Sequence, residues 1–139
     1  IGWMRAWTAR RMMRAAPPSA SATLAVQEFR RQFPLGSTSR VLLIDEAGGY
    51  AGMVPTAAAF AATLADESSV GDLAILKTAF LSPDDGIGEI MRRFEESEAD
   101  DLAVVSSSGA VLGILTEKYV QRRYADEADR ALREIYGEG

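Results

Sequence analysis

The sequence contains an internal repeat, and this repeat limits the possible folds more than any other feature. The segment ATLAVQEFRRQF, residues 22–33, resembles GIGEIMRRFEES, residues 86–97, with Phe29 matched to Phe94. Both segments have apolar side chains at helical spacing, and in the second copy this stripe is complete. Each copy therefore predicts a short amphipathic helix. The stripe of the second helix consists of Ile87, Ile90, Met91 and Phe94.

A β-hairpin follows each predicted helix. The first strands, Val41–Ile44 and Leu102–Val105, are continuous apolar runs, which are typical of strands covered on both faces. Gly52 and Gly113 occupy matching places in the second strands, and we call their separation in sequence the Gly52–Gly113 spacing. The sequence separation between Phe29 and Phe94 is larger than that between the two glycines. The alignment therefore predicts that the loop between helix and hairpin is four residues longer in the first copy than in the second.

A further helix is predicted after each hairpin, so the unit is helix, strand, strand, helix, given twice. The first of these helices is alanine-rich, at residues 56–65, and the second is charged, at residues 116–136. One such unit leaves an apolar sheet face uncovered, so the two copies are expected to pack through their sheets as a pseudo-twofold α/β (α+β) module. Clefts at the strand ends, facing helix N-termini, would suit a small anionic ligand.

Composition excludes several kinds of site. The 139 residues include no cysteine and no histidine, which removes disulfides, thiolate nucleophiles, imidazole-based catalysis and zinc sites of the usual ligands. The acidic runs lack the ligand spacing of a calcium loop, so no metal site is predicted. The sequence also offers no catalytic motif, so no catalytic residue is predicted. The net charge is −5, and an acidic body argues against nucleic acid as a partner.

The basic residues are concentrated at the start of the chain. Residues 1–40 carry seven arginines and one acid, a balance of +6, whereas the remainder carries −11. Within this region, the segment 1–14 combines Trp3 and Trp7 with four of the arginines. Tryptophan with arginine suits the headgroup region of an anionic leaflet beside a membrane helix. The alternative is a helix that covers part of the domain or takes part in a dimer contact.

Over residues 10–136 the repeated pattern resembles a tandem pair of CBS domains, a regulatory module. The stretch LTEKYVQRRY, residues 115–124, is similar to the cytoplasmic C-terminal CBS pair of CLC-type chloride channels and transporters. That resemblance implies a non-enzymatic module that modulates the gating of a membrane ion channel or transporter. The alternatives are the CBS pair of another transporter, such as one for magnesium, and a structural dimerisation module without a ligand.

Many CBS pairs bind adenosine nucleotides through a pattern of Gly, two residues, Thr or Ser, two residues and Asp. The second copy keeps the threonine, as Thr116, and has Tyr119 in place of the acid that contacts ribose. The first copy has Ala58 at the acid position, and Thr56 lies one place from the hydroxyl position and could cap the following helix. The resemblance thus implies ATP, ADP or AMP as possible ligands, with candidate contacts at Thr116, Tyr119, Thr56 and Thr78.

Two of these candidates have a purely structural interpretation. Thr116 could serve only as the N-cap of the final helix, a role that threonine fills without any ligand. Tyr119 could pack in the core rather than stack on an adenine. The sequence leaves both interpretations open.

The resemblance also implies an organisation and partners for the chain. The expected segments are a basic linker helix at 1–14, a first CBS repeat at 15–66 and a second at 67–139 with the long final helix. A homodimer formed through CBS helices is expected, together with contact to the transmembrane domain of the parent chain. The expected location is the cytoplasmic side of the inner membrane.

Overall fold

The computed structural model describes residues 2–137, without the side chains of Trp3 and Arg5. The chain is mixed α/β, as predicted. Its elements in chain order are α1 (Gly2–Ala6), α2 (Ala9–Met12), β1 (Ser19–Ser21), α3 (Val26–Gln32), β2 (Arg40–Ile44), β3 (Tyr50–Pro55), a first 3₁₀ helix (Thr56–Phe60), a second 3₁₀ helix (Val70–Leu73), α4 (Ile87–Ser97), β4 (Asp101–Val105), β5 (Val111–Thr116) and α5 (Glu117–Ile135).

The chain packs as two compact units, and neither is continuous in sequence. Within the described residues, unit 1 comprises 2–15, 79–106 and 112–137, and unit 2 comprises 16–78 and 107–111. The start of the chain thus packs with its second half. The predicted segment boundaries at 14 and 66 stay predictions.

Unit 2 is built on a three-stranded sheet in the order β1-β2-β3. Strand β1 pairs in parallel with β2, and β3 pairs antiparallel with β2. The middle three residues of β2 are buried, as expected for a strand covered on both faces. Helix α3 places Phe29 at the centre of the core and ends at Gln32, because Phe33 precedes a proline and leaves the helical conformation.

Unit 1 combines the two-stranded sheet of β4 and β5 with helices α4 and α5. The predicted stripe of α4 is confirmed, since Ile87, Ile90 and Phe94 are buried and Met91 is half-buried. The basic segment at the start of the chain also enters this core through Ala9 and Met12, both buried. Within residues 2–137, no helix combines the length and the apolar character needed to span a membrane.

The two repeats are equivalent at one constant offset, which is the Gly52–Gly113 spacing. Backbone pairings in one unit recur in the other between residues that are displaced along the sequence by this spacing. The matched pairings are Arg14 with Ile114 and Ile75 with Met53, Thr8 with Gly86 and Ser69 with Ala25, and Leu81 with Val104 and Ala20 with Leu43. The internal repeat is therefore real at the level of single backbone pairings.

The predicted alignment of the helices, Phe29 with Phe94, is wrong by one helical turn. Phe29 N–H donates to Ala25 O and Ile90 N–H donates to Gly86 O, both at 2.9 Å, so Phe29 is equivalent to Ile90. Residues four apart lie on the same helix face, so the apolar pattern matches equally well after a slip of one turn. The predicted longer first loop is nevertheless confirmed, since residues 33–39 separate α3 from β2 and only residues 98–100 separate α4 from β4. Helix α3 has 7 residues and α4 has 11, so the shorter helix offsets the longer loop and the spacing of the two copies stays constant.

The predicted alanine-rich helix at 56–65 is only a 3₁₀ helix that ends at Phe60. Helix α3 explains this, because the Arg30 side chain donates hydrogen bonds to the carbonyl oxygens of Ala59 and Ala61. In a longer α-helix those oxygens would accept from backbone N–H groups one turn later. Arg30 also pairs with Asp66 at 3.1 Å, which fixes the chain beyond the 3₁₀ helix.

Candidate functional site

A pocket of about 260 Å³ in unit 1 brings together two of the predicted contact residues, Thr116 and Tyr119. It forms where β5 ends and α5 begins, beside the short segment that follows α2. This position at the N-terminus of a 19-residue helix favours a negatively charged group. The lining residues are Met12, Arg14, Ile114, Leu115, Thr116 and Tyr119.

The glycine that marked the repeat positions this pocket. A Cβ atom on Gly113 would lie 2.6 Å from Arg14 O and 2.9 Å from Met13 Sδ, so only glycine allows the segment to pack against β5. Arg14 and Ile114 then exchange two backbone hydrogen bonds, at 3.1 and 3.0 Å. The main chain of Arg14 is thereby fixed at the pocket, while its side chain is exposed.

Thr116 caps helix α5, which confirms its structural interpretation. Its backbone is extended, and its Oγ1 accepts a hydrogen bond from Tyr119 N–H at 3.3 Å. A hydroxyl oxygen keeps a second lone pair and can donate its own hydrogen while it accepts from the backbone. Thr116 can therefore cap the helix and contact a ligand at once, and its ligand role stays a prediction.

Tyr119 is half-buried in the pocket wall, one turn before Arg123 on helix α5. The guanidinium carbon of Arg123 lies 5.7 Å from the Tyr119 ring centroid. The pKa of the Arg123 guanidinium is raised, first by a hydrogen bond with the Tyr119 side chain, whereas burial lowers it and the charges of Glu127 and Asp126 add to the rise. Both the stacking and the packing interpretations of Tyr119 fit this position.

The other two predicted contacts, Thr56 and Thr78, lie in unit 2. Thr56 is only 2% exposed, and its Oγ1 has no hydrogen-bond partner among the described residues. The prediction that Thr56 caps a helix is wrong, because the capping position of the 3₁₀ helix is Pro55 and carries no side-chain cap. Thr78 is exposed in a turn. A ligand contact at either residue stays a prediction.

The repeat does not reproduce the polar character of the unit 1 pocket in unit 2. At the Gly52–Gly113 spacing, the positions equivalent to Arg14, Thr116 and Tyr119 are Ile75, Pro55 and Ala58. None of these side chains can donate a hydrogen bond to a phosphate. The six positions equivalent to the pocket lining are Leu73, Ile75, Met53, Val54, Pro55 and Ala58.

A second depression in unit 1, of about 300 Å³, has the opposite charge. Its rim carries Glu95 and Glu117, and Phe94 lies among its apolar lining residues. Two carboxylates disfavour an anion, so an anionic ligand would enter the pocket beside Arg14 instead. Within residues 2–137, no group of three or more acidic side chains lies close enough together to hold a metal ion.

Sequence reasoning missed Arg14 and Met12 as pocket residues, because it assigned the start of the chain to a linker. The available signal was the Gly52–Gly113 spacing. Applied to the start of the chain, it pairs Ala9 and Met12 with Val70 and Leu73, which are all apolar. That match identifies residues 9–14 as part of the repeat.

Comparison with known protein families supports the resemblance. The family model described as "CBS domain" matches residues 70–126, and no curated protein shows a significant match to the sequence. A CBS domain pair/ACT domain protein from Thermotoga maritima superposes with a TM-score of 0.70 at 18% identity, over 86% of this chain and 98% of its own. The predicted resemblance to a tandem CBS pair is confirmed.

Two further solved structures with this fold contain adenosine ligands. CBSX2 in complex with AMP matches at 19% identity with a TM-score of 0.67, over 88% of this chain and 98% of its own. The cytosolic domain of the Mg²⁺ channel MgtE in complex with ATP matches at 21% identity with a TM-score of 0.65, over 80% of this chain and 46% of its own. At these identities the similarity shows the fold alone.

Proposed function

We propose that this tandem CBS pair is a regulatory module that binds one adenosine phosphate per chain, in the unit 1 pocket. One observation carries the proposal: Arg14, whose side chain is exposed, and Thr116 both line a single pocket at the N-terminus of α5. Phosphate is stabilised by all three groups. The AMP and ATP bound to two structures of the same fold support adenosine as the remainder of the ligand.

The apolar part of the pocket suits the base of such a ligand. Met12, Ile114 and Leu115 offer apolar contact, and the Tyr119 ring offers a face for stacking. A site of about 260 Å³ lies slightly below the usual range for small-molecule pockets, which favours AMP over ATP. The proposed mechanism is a population shift, in which the ligand stabilises one arrangement of the chain and so biases an attached domain. We propose no catalytic activity.

Calorimetric titration with AMP, ADP, ATP and adenosine tests this proposal. AMP should bind saturably, and Arg14→Gln should weaken its binding about fivefold, because one exposed charged hydrogen bond to phosphate is worth roughly 1 kcal/mol. Arg10→Gln is the matched control, since Arg10 is an exposed arginine of the same segment outside the pocket lining. Absence of heat for all four ligands at millimolar concentration would reject the proposal.

The second candidate is a ligand-free dimerisation module. It is favoured by the cap role of Thr116 and by three exposed apolar side chains near the end of α5, Leu132, Ile135 and Tyr136, which are 53–75% exposed. Sedimentation of the free chain would then show a dimer that no nucleotide changes. Replacing Leu132 with Lys should dissociate that dimer.

The parent protein we propose is a CLC-type chloride channel or transporter at the cytoplasmic face of the inner membrane, on the resemblance of residues 115–124. The alternative parent is a magnesium transporter, and the fold shared with the MgtE cytosolic domain supports this alternative. Flux measurements on the reconstituted parent protein, with chloride and magnesium in parallel, distinguish the two.

A further inference from the structure

Trp7 joins the start of the chain to helix α5 through a cluster of charged side chains. Its indole Nε1 donates a hydrogen bond to Glu127 Oε1 at 3.0 Å. The guanidinium carbon of Arg11 lies 3.8 Å from the Trp7 ring centroid, and that of Arg123 lies 4.6 Å away. Both distances are within the range of cation–π attraction. We call Trp7, Arg11, Arg123 and Glu127 the Trp7 cluster.

Glu127 is the buried acidic residue of the Trp7 cluster. It is 5% exposed, and the nearest nitrogen atoms of Arg130 and Arg123 lie 3.4 and 3.7 Å from its Oε2. This oxygen has no hydrogen-bond partner among the described residues. When a buried carboxylate has incomplete hydrogen bonding, the free-energy cost of its charge must be offset by the cations beside it.

Arg123 belongs to the Trp7 cluster and also borders the pocket. Its guanidinium carbon lies 4.6 Å from the Trp7 ring centroid and 5.7 Å from that of Tyr119, which lines the pocket. Its buried Nε has no hydrogen-bond partner within residues 2–137. The guanidinium thus lies beside two aromatic rings and near the charge of Glu127, and a movement of either ring changes its best position.

We infer that Arg123 is a positioning residue that couples the Tyr119 wall of the pocket to Trp7 and the start of the chain. A ligand that displaces the Tyr119 ring moves the Arg123 guanidinium, and that movement alters the contacts of Trp7. The raised pKa of Arg123 agrees with a close interaction with Tyr119. The ligand-driven step rests on the proposed function, whereas the Tyr119–Arg123–Trp7 contact exists without any ligand.

The first experiment needs no ligand and uses Trp7 fluorescence in a Trp3→Phe background, which leaves Trp7 as the only tryptophan. Tyr119→Leu should change the emission maximum of Trp7. The change should disappear when Arg123 is replaced with Met and persist when the neighbouring exposed Arg122 is replaced with Met. A change that is the same with and without Arg123, or no change at all, would overturn the inference.

Tyr119→Phe keeps the ring and removes only the hydroxyl, so it serves if Tyr119→Leu does not fold. In this background Tyr119→Phe should produce a smaller change of the same sign. Arg123→Lys restores a cation and should restore part of the coupling, which a purely space-filling role would not explain. Circular dichroism confirms that each variant compared is folded.

The second experiment adds AMP and compares calorimetry with Trp7 emission. AMP should change the emission of the Trp3→Phe protein, and Arg123→Met should remove that change while weakening AMP binding about fivefold. Calorimetric binding with unchanged Trp7 emission would overturn the coupling and leave the proposed function intact. Absence of binding would overturn the proposed function, and the ligand-free experiment would still decide the coupling.

Discussion

Trp7 and Glu127, 120 residues apart in sequence, are joined by a hydrogen bond of 3.0 Å between the indole nitrogen and a buried carboxylate. This bond links the start of the chain to helix α5 within unit 1. The composition of the basic first residues predicts either a linker beside a membrane or a helix that covers the domain. The packing of Ala9, Met12 and Trp7 agrees with the second interpretation for residues 7–12.

Replacing Trp7 with Phe should destabilise the fold by about 1–3 kcal/mol, because the buried carboxylate of Glu127 loses a donor. Chemical denaturation of the Trp7→Phe protein, followed by circular dichroism, measures this loss. In a Glu127→Ala background, Trp7→Phe should cost much less. Glu134→Ala is the control for Glu127, since Glu134 is exposed on the same helix and its loss should change stability by less than about 0.5 kcal/mol. Equal effects of Trp7→Phe in both backgrounds would contradict a bond between the two residues.

Thr56→Val should leave stability unchanged or raise it. The Thr56 hydroxyl is buried without a partner among the described residues, so replacing it with a methyl group removes a desolvation cost and no hydrogen bond. Thr116→Val is the contrast, because it removes the cap of α5 and should cost about 1 kcal/mol. Thermal unfolding measures the change in stability of each variant relative to the unmodified chain. A loss on Thr56→Val as large as that on Thr116→Val would show that the Thr56 hydroxyl has a partner.

Gly113→Ala should destabilise the protein by about 1–3 kcal/mol and weaken AMP binding, because the added Cβ would lie 2.6 Å from Arg14 O and displace a pocket residue. Gly88→Ala is the opposite case. Gly88 is exposed in helix α4 and its added Cβ meets nothing closer than 3.5 Å, so alanine should stabilise by about 0.5–1 kcal/mol. Unfolding and calorimetry on both variants test the pair, and normal AMP affinity in Gly113→Ala would disprove the positional role of this glycine.

AMP and 2′-deoxy-AMP should bind with affinities within about threefold of each other. The pocket lining contains no carboxylate that could accept hydrogen bonds from both ribose hydroxyls, because Tyr119 occupies the position expected for an acid. A site built to bind a hydroxyl group rejects the analogue that lacks it far more strongly. Competition calorimetry gives the ratio. A preference for AMP above about tenfold would mean that another residue contacts the ribose.

Acid should weaken the fold partly through Glu89. Its pKa is lowered, first by a hydrogen bond with Arg92, against a rise from burial, and then by the charge of Arg92 and by Arg93. Because the pKa is lower in the folded state, this contribution is fully present above the ordinary value of 4.5 and is lost as the pH falls through the folded value. Glu89→Gln should therefore flatten the loss of stability with pH below about 4.5. Glu95→Gln, exposed on the same helix, is the control. Unfolding curves measured between neutral and acid pH give the change of the unfolding free energy with pH. Equal slopes for Glu89→Gln and the unmodified chain would contradict this prediction.

The fold class and most of the secondary structure could be predicted from the sequence. The stripe of α4 and the apolar run of β2 reflect local rules, since side-chain periodicity follows directly from backbone geometry. The short helix after the first hairpin could not be predicted, because Arg30, in the preceding helix α3, occupies the carbonyl oxygens that a longer helix would use. Of the candidate contacts, Thr116 and Tyr119 are only three residues apart and share a pocket by local geometry.

Sequence patterns alone were enough to establish that two copies of one unit exist and that Thr116 begins the last helix. Three further features were settled only in the folded chain: the helices follow the Gly52–Gly113 spacing, residues 9–14 pack within unit 1, and Arg14 lies at the pocket. Patterns fall short here because an apolar stripe repeats with every helical turn and so leaves the register open. Register is fixed instead by backbone hydrogen bonds such as those between Arg14 and Ile114, which side-chain patterns do not encode.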